Sequence, residues 1–255
     1  MSDLLTVSDL SVKYSGTINL EVLKSLSFSI EEGTFTALVG PSGCGKTTIL
    51  RCISGLQKPT SGAIRIAGAE VTEPTDGMTL VFQEYNRSLF PWRTVLNNVL
   101  FPIEDKIPKT ESLNRATKLL KLLGLEGFEK YYPWQLSGGM QQRVAIARAL
   151  APNPKILLMD EPFASVDAQT RIALEDQLLK LWSEMKLTIL FVTHDIEEAV
   201  YVSQKVVVLS NRPTHVIESL DISLTHPRDQ ITTKSDQRFL AYRARILENI
   251  RALLT

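Results

Sequence analysis

Short apolar runs rich in branched side chains open the chain at Thr6 to Val12, Leu26 to Ile30 and Thr34 to Val39, broken by Gly16, Gly33 and Gly62. Such runs, bounded by glycine, predict that strands dominate from Leu4 to Ile66. The period then lengthens. Between Thr110 and Gly124 the apolar positions Leu113, Ala116, Leu120 and Leu123 recur at helical spacing and stop on a glycine, the pattern of an amphipathic helix with a glycine stop. Further on, Ile156-Leu157-Leu158-Met159 and Thr188-Ile189-Leu190-Phe191-Val192 are unbroken apolar runs, with a helix between them marked by Leu174, Leu178, Leu181 and Met185. Strands that are apolar on both faces and alternate with helices predict an α/β fold with a covered parallel sheet. A last stripe, Phe239, Tyr242, Ile246, Leu247, Ile250 and Leu253, predicts a C-terminal packing helix, and neither an internal repeat nor a low-complexity linker interrupts the chain.

Composition narrows the partners. The 255 residues are 44% hydrophobic and 22% charged, enough to bury a sizeable core. Lys plus Arg number 28 and Asp plus Glu number 28, so no net basic field argues for nucleic acid. Cys44 and Cys52 form no CxxC pair and have no histidine at metal-ligand spacing, which points to free thiols. Neither a basic and apolar leader at Met1-Ser2-Asp3-Leu4-Leu5 nor an apolar run of the roughly 18 residues a spanning helix needs is present. The expectation is a soluble, unexported protein.

The chemistry starts at Gly40-Pro41-Ser42-Gly43-Cys44-Gly45-Lys46-Thr47, which satisfies the phosphate-loop pattern GxxxxGK(S/T). It follows the apolar strand Ala37-Leu38-Val39 and precedes a helical run from Thr48 to Leu56, the context the mechanism needs. Glycines let successive N–H groups turn toward one oxyanion, and the helix adds the positive end of its dipole. Lys46 is then placed for the β- and γ-phosphates and the Thr47 hydroxyl for Mg²⁺. Cys44 occupies a variable position and reads as a bystander thiol, open to alkylation by its proximity to the site. The second half of the site follows the strand Ile156 to Met159, where Asp160-Glu161 put two carboxylates at the carboxyl edge of the sheet. Asp160 is the expected Mg²⁺ partner, and Glu161 is placed to orient and deprotonate a water for attack on the γ-phosphate. His194, after Phe191-Val192-Thr193, is in place to hydrogen-bond the γ-phosphate and that water.

Leu136-Ser137-Gly138-Gly139-Met140-Gln141-Gln142-Arg143 resembles the LSGGQ signature of ATP-binding cassette (ABC) ATPases, with Met140 where the short form has glutamine. Physically it is a second anion cradle, with Ser137, Gly138 and Gly139 at the start of a helix running from Gln141 to Ala151. The resemblance implies that this cradle serves the nucleotide held by another subunit, a second copy or a paralogue, so that two ATP molecules are sandwiched in a dimer. It implies further that Tyr14 stacks on adenine, that Thr48 and the loop from Gly40 to Thr47 bind ATP, that Gln83 senses Mg²⁺ and the γ-phosphate, that His194 is the switch histidine, and that Ser165-Val166-Asp167 crosses the dimer interface. At that last loop Ala164-Ser165-Val166-Asp167 departs mildly from Gly-Ala-Leu-Asp.

The implied fold is a P-loop core with an antiparallel β subdomain over 1–82 and 156–225, a helical signature subdomain over 83–155, and a C-terminal extension over 226–255. Leu89-Phe90-Pro91-Trp92-Arg93-Thr94-Val95 and the tail His226-Pro227-Arg228-Asp229-Gln230 with Thr233-Lys234-Ser235-Asp236 resemble the nitrate, sulfonate and taurine importer branch. The stretch Glu84-Tyr85-Asn86-Arg87-Ser88 is longer than that branch's pattern. The resemblance implies an integral membrane permease as partner, docked near the aromatics after Gln83, and indirectly an extracytoplasmic solute-binding protein, with the subunit itself peripheral on the cytoplasmic face. A soluble cassette uncoupled from transport and a P-loop kinase are the competing readings, the latter disfavoured by Ser137-Gly138-Gly139.

Overall fold

The computed structural model describes residues 3–15, 19–84 and 88–253; Met1-Ser2, Gly16 and Tyr85-Asn86-Arg87, named above, lie outside the described residues. Ten strands and seven α-helices, with a short 3-10 helix at Pro133–Gln135, follow in chain order among them. They are β1 (Asp3–Tyr14), β2 (Leu20–Glu31), β3 (Phe35–Val39), α1 (Lys46–Ile53), β4 (Ser61–Ile66), β5 (Ala69–Glu70), β6 (Met78–Val81), α2 (Val95–Leu100), α3 (Lys109–Leu122), α4 (Gly138–Leu150), β7 (Ile156–Asp160), α5 (Ala168–Met185), β8 (Thr188–Thr193), α6 (Ile196–Val202), β9 (Lys205–Leu209), β10 (Val216–Asp221) and α7 (Gln237–Arg251).

The strands form two sheets, an antiparallel one in the order β2-β1-β4-β5 and a six-stranded one in the order β10-β9-β3-β8-β7-β6. In the second, β9, β3, β8, β7 and β6 run parallel and only β10 is reversed. Its strands β3, β7, β8 and β9 are buried on both faces, and the two-residue period divides them cleanly. Leu38, Leu158, Leu190, Val192, Val207 and Leu209 join a core with α1 and the antiparallel sheet. Ala37, Val39, Leu157, Met159, Ile189, Phe191, Val206 and Val208 point the other way, into a second core with α2 to α7. The continuous apolar runs therefore report strands sandwiched between two layers, as the sequence predicts.

Helix starts follow short polar side chains. Thr94, Ser137, Asp167, Asp195 and Asp236 each accept a hydrogen bond from a backbone N–H of the first turn of α2, α4, α5, α6 and α7. This explains one boundary shift: α4 begins at Gly138 rather than Gln141, because the Ser137 cap outweighs the poor helix propensity of two glycines. The C-terminal stripe packs as expected, with Phe239 and Ile246 buried and Leu253 just beyond the helix end. Replacing Phe239 with Ala should cost about 3–5 kcal/mol through the cavity it leaves. The check is the denaturant midpoint, which should fall with the slope unchanged.

Candidate nucleotide site

Four neighbouring strands end at one edge of the parallel sheet, and the sheet order decides which side chains meet there. Val39 lies beside Thr193, Asp160 beside Val192 and Val81 beside Met159. The chain leaving each strand thus sets the loop at Gly40, then His194, then Asp160-Glu161, then Gln83 in adjacent positions.

After β3 the chain turns over Gly40 to Gly45 and enters α1, with Ile49 N–H donating to the Gly45 carbonyl as the first helical bond. Gly45 has φ +122°, and a Cβ there would sit 2.8 Å from Val22 Cγ1, so backbone freedom and space both require glycine. Lys46 is 5% exposed, and its ammonium donates to the carbonyls of Gly40 (2.9 Å) and Pro41 (3.1 Å). Its next neighbour is Glu161, with Oε1 at 3.8 Å. Thr47 is exposed at the helix start, where hydrogen bonding from its hydroxyl favours the ionised Asp160 carboxyl. Burial pushes Asp160 above the usual carboxylate range, against the opposing pull of that hydrogen bond and of Lys46.

Glu161 takes up the left-handed region, φ +42°, held by its N–H donating to Val192 O at 2.9 Å. A non-glycine residue pays roughly 1–2 kcal/mol there. The turn aims its carboxylate at the other strand ends: Oε2 pairs with His194 Nδ1 at 2.9 Å and accepts from Gln83 Nε2 at 3.5 Å. His194 thus rests against the carboxylate, where the sequence suggests contact with phosphate and water.

The residues fit a magnesium polyphosphate. A buried ammonium has two carbonyls and a distant carboxylate for partners, so phosphate oxygens could take over its hydrogen bonds. Beside it, a hydroxyl and a buried carboxylate face each other as two oxygen donors for a hard cation.

Other predicted residues stand apart. Tyr14, at the end of β1, is 43% exposed with its hydroxyl tied to Gln57. Ser137 caps α4, accepting from Met140 N at 3.3 Å, and α4 packs on α2, α3, α5 and β6 rather than on the phosphate loop. Asp167 caps α5, and its two oxygens accept from the Thr170 N–H (3.0 Å) and hydroxyl (2.6 Å). Gly139 and Thr170 tie these two elements together: a Cβ on Gly139 would fall 2.3 Å from Thr170 Cγ2. Beyond Gln83, Phe82, Ser88, Phe90, Phe101 and Arg148 border a groove of about 420 Å³, and Trp92 is 73% exposed beside it, whereas Leu89 is buried in the helical core.

Two features escape sequence reasoning. Thr214, fully buried in the turn between β9 and β10, donates its hydroxyl to the Cys44 carbonyl and braces the loop from outside any motif. Cys44 itself is 2% exposed in the core under the sheet, and burial pushes its thiol up, which corrects the expectation of an alkylation-sensitive site.

The family model described as ABC transporter matches residues 23–164. The chain is 52% identical over 229 residues to an ABC transporter ATP-binding protein of Methanocaldococcus jannaschii, covering 89% of this chain and 84% of that one. It is 42% identical over 252 residues to the taurine import ATP-binding protein TauB of Escherichia coli (97% of each) and 41% identical over 244 residues to the aliphatic sulfonates import ATP-binding protein SsuB of Bacillus thuringiensis (95% and 92%). Among solved structures it resembles a dimeric ABC transporter cassette, with TM-score 0.75 and 35% identity over 86% of this chain and 98% of that one. A post-hydrolysis dimer of that cassette bound to ADP and Pi is similar at TM-score 0.74, with the same identity and coverage. The chain belongs to the ABC transporter family.

The buried thiols give a direct test. Cys52 is pushed up to about 11 by burial, and Cys44 is raised for the same reason. At pH 8 both should react with iodoacetamide at least about tenfold more slowly than free cysteine, since only the thiolate attacks. Denaturation should restore full reactivity, measured by mass spectrometry.

Proposed function

We propose that this chain is the ATP-hydrolysing subunit of an importer for a small solute of the sulfonate, taurine or nitrate kind, acting as a dimer against a separate membrane permease. The Glu161 carboxylate, drawn between Lys46, His194 and Gln83, carries the reading, because one acid with a cation on one side and an imidazole on the other suits a base beside a polyphosphate. The similarity to TauB and SsuB over nearly the whole chain supports the importer branch. No helix among the described residues is long and apolar enough to cross a membrane. Residues 83–155 read as the helical arm that meets that partner and 226–255 as an extension of the core. The groove beside Phe90 and Trp92 is the natural seat on the arm. The working position is peripheral, on the cytoplasmic face, with cargo chosen by the permease and an extracytoplasmic binding protein.

In this reading Lys46 and the backbone from Gly40 to Thr48 hold the β- and γ-phosphates, with Tyr14 under the adenine. Thr47, Asp160 and Gln83 would hold Mg²⁺, which supplies neutralisation of the phosphate charge. Glu161 orients a water in line with the γ-phosphorus and takes its proton. His194 keeps the carboxylate aimed, and its exposed ring can turn to the γ-phosphate once ATP is in place. Closure is completed by a second chain: the partner's Ser137, the partner's Gly138 and the partner's Gly139 bring helix N–H groups and a hydroxyl to the same γ-phosphate, and Asp167 lines the shared interface.

Purified protein should release inorganic phosphate from ATP without an acceptor and should co-purify with a membrane permease. Glu161→Gln should lower kcat by about 10²–10⁴-fold with KM little changed and trap an ATP-bound dimer on gel filtration. Lys46→Ala should instead weaken nucleotide binding. Turnover at the parent rate in the Glu161 variant removes the assigned base.

A further inference from the structure

Behind the site, between α5 and α6, lie carboxylates that the hydrolytic chemistry does not use. Glu175 is 2% exposed and Glu198 5% exposed, close enough to Asp195 for the charges to act on one another. Burial first, then the neighbouring Glu175 and Asp195, push Glu198 up to about 8, and burial raises Glu175 as well. On α5 these groups face the cation Arg171. Its Nη1 donates to Asp195 Oδ2 at 3.4 Å, and its charge favours ionised Glu198.

Asp195 matters because of where it stands. It follows His194, and its Oδ1 caps α6 by accepting from the N–H groups of Glu197 (2.9 Å) and Glu198 (3.1 Å). Arg171 therefore ties the loop carrying the histidine to the first turn of the helix that Asp167 starts.

A second cation arrives from the C-terminal segment. Lys234 Nζ lies 3.4 Å from Glu175 Oε2 and 4.8 Å from the centre of the Tyr201 ring. Gln230 Nε2 donates to the same Oε2 at 3.0 Å and to Asp176 Oδ1 at 2.9 Å, which also accepts the Tyr201 hydroxyl at 2.6 Å. Arg228 fixes the start of this segment, donating Nη1 to the carbonyls of Val200 and Tyr201 near the end of α6.

We propose that Lys234 is a positioning residue for hydrolysis: by neutralising Glu175 it leaves Arg171 free to hold Asp195, and with it the His194 loop, in register with the Asp167 end of α5. Glu175 stands four residues after Arg171 on the same helix, so their side chains are neighbours. A buried carboxylate stripped of its counter-charge is costly, so without Lys234 the guanidinium is drawn toward the more deeply buried Glu175 and away from half-buried Asp195. The cap of α6 then loses its outer anchor, and His194 loses its fixed approach to Glu161. ATP affinity does not depend on this chain of contacts, because none of these residues belongs to the phosphate loop. The inference rests on Glu161 acting as the base.

Steady-state hydrolysis by the full chain tests it with Lys234→Met, Lys234→Arg, Arg171→Met and the double variant Lys234→Met with Arg171→Met. The expected result is a kcat about tenfold lower in Lys234→Met with KM for ATP within about twofold, recovered in Lys234→Arg, and a double variant no slower than Arg171→Met alone. Unchanged kcat in Lys234→Met, or losses that multiply fully in the double variant, overturns the proposal. Should Lys234→Met be unfolded at the assay temperature, Lys234→Gln, which keeps an amide donor without the charge, must show the same loss. Glu161→Gln separates the two readings: parent turnover there sinks the base assignment, whereas a dead Glu161→Gln beside a fully active Lys234→Met sinks only the role of the C-terminal segment.

Discussion

The buried ammonium of Lys46 sets the terms for the rest of the molecule. Taking an ammonium out of water costs several kcal/mol unless oxygen atoms replace its hydration. Here the carbonyls of Gly40 and Pro41 do so, which means the loop must fold its own carbonyls inward. That geometry demands a chain able to turn back on itself at Gly45 and a rigid wall behind it. Val22 and Leu23 from β2, Leu209 from β9 and the Thr214 hydroxyl provide the wall, so both sheets and the β9–β10 turn shape a loop of eight residues. A polyphosphate offers the same ammonium oxygens of higher charge, and binding is then an exchange of partners inside a preformed cradle rather than the building of a new one.

Charge balance at the sheet edge follows from that cation. Glu161 is held in the left-handed region by the bond to Val192, and a strained residue persists only where its surroundings fix it. The two carboxylates, adjacent in sequence, have different partners although Glu161 still acts on Asp160 through its charge. One carboxyl is buried against Thr47, while the other reaches Lys46, His194 and Gln83. Two neighbouring acids can then do different work because the backbone has separated their environments.

Much of this was legible in the residues. The apolar runs from Ile156 and Thr188 could only be strands covered on both faces, and the loop pattern after Val39 fixed where phosphate should sit, since glycine spacing and a following helix are local requirements. Boundaries moved where a cap outweighed propensity, as at Ser137 and Gly138. What stayed hidden depends on contacts distant in sequence. Nothing near Cys44 says that its sulfur turns into the core, because that follows from the path of a loop pressed against β9. Thr214 belongs to no motif, yet the register of β9 beside β3 carries it to the loop. Glu175 and Glu198 look like ordinary surface acids of amphipathic helices; Gln230 and Lys234 of the C-terminal segment close over Glu175, while Glu198 is buried beside Thr193. Sequence periodicity reports which face of a helix is apolar, but it does not report which polar residues a later segment will cover.

Helix α5 is the element on which these hidden contacts meet. Asp167, Arg171 and Glu175 recur every four residues, so they share one face of a helix whose 18 residues span about 27 Å. Asp167 stands at the end that also packs Thr170 against Gly139 of α4, Arg171 grips the loop that carries His194, and Glu175 meets the C-terminal segment. A hydrogen-bonded helix transmits displacement along its axis far better than a loop does. A partner pressing on the Asp167 end and a charge placed at the Glu175 end therefore act on the same rigid body. Coupling between two sites needs an element that both can bias, and α5 touches Gly139 at the start of α4, the His194 loop and the C-terminal segment at once.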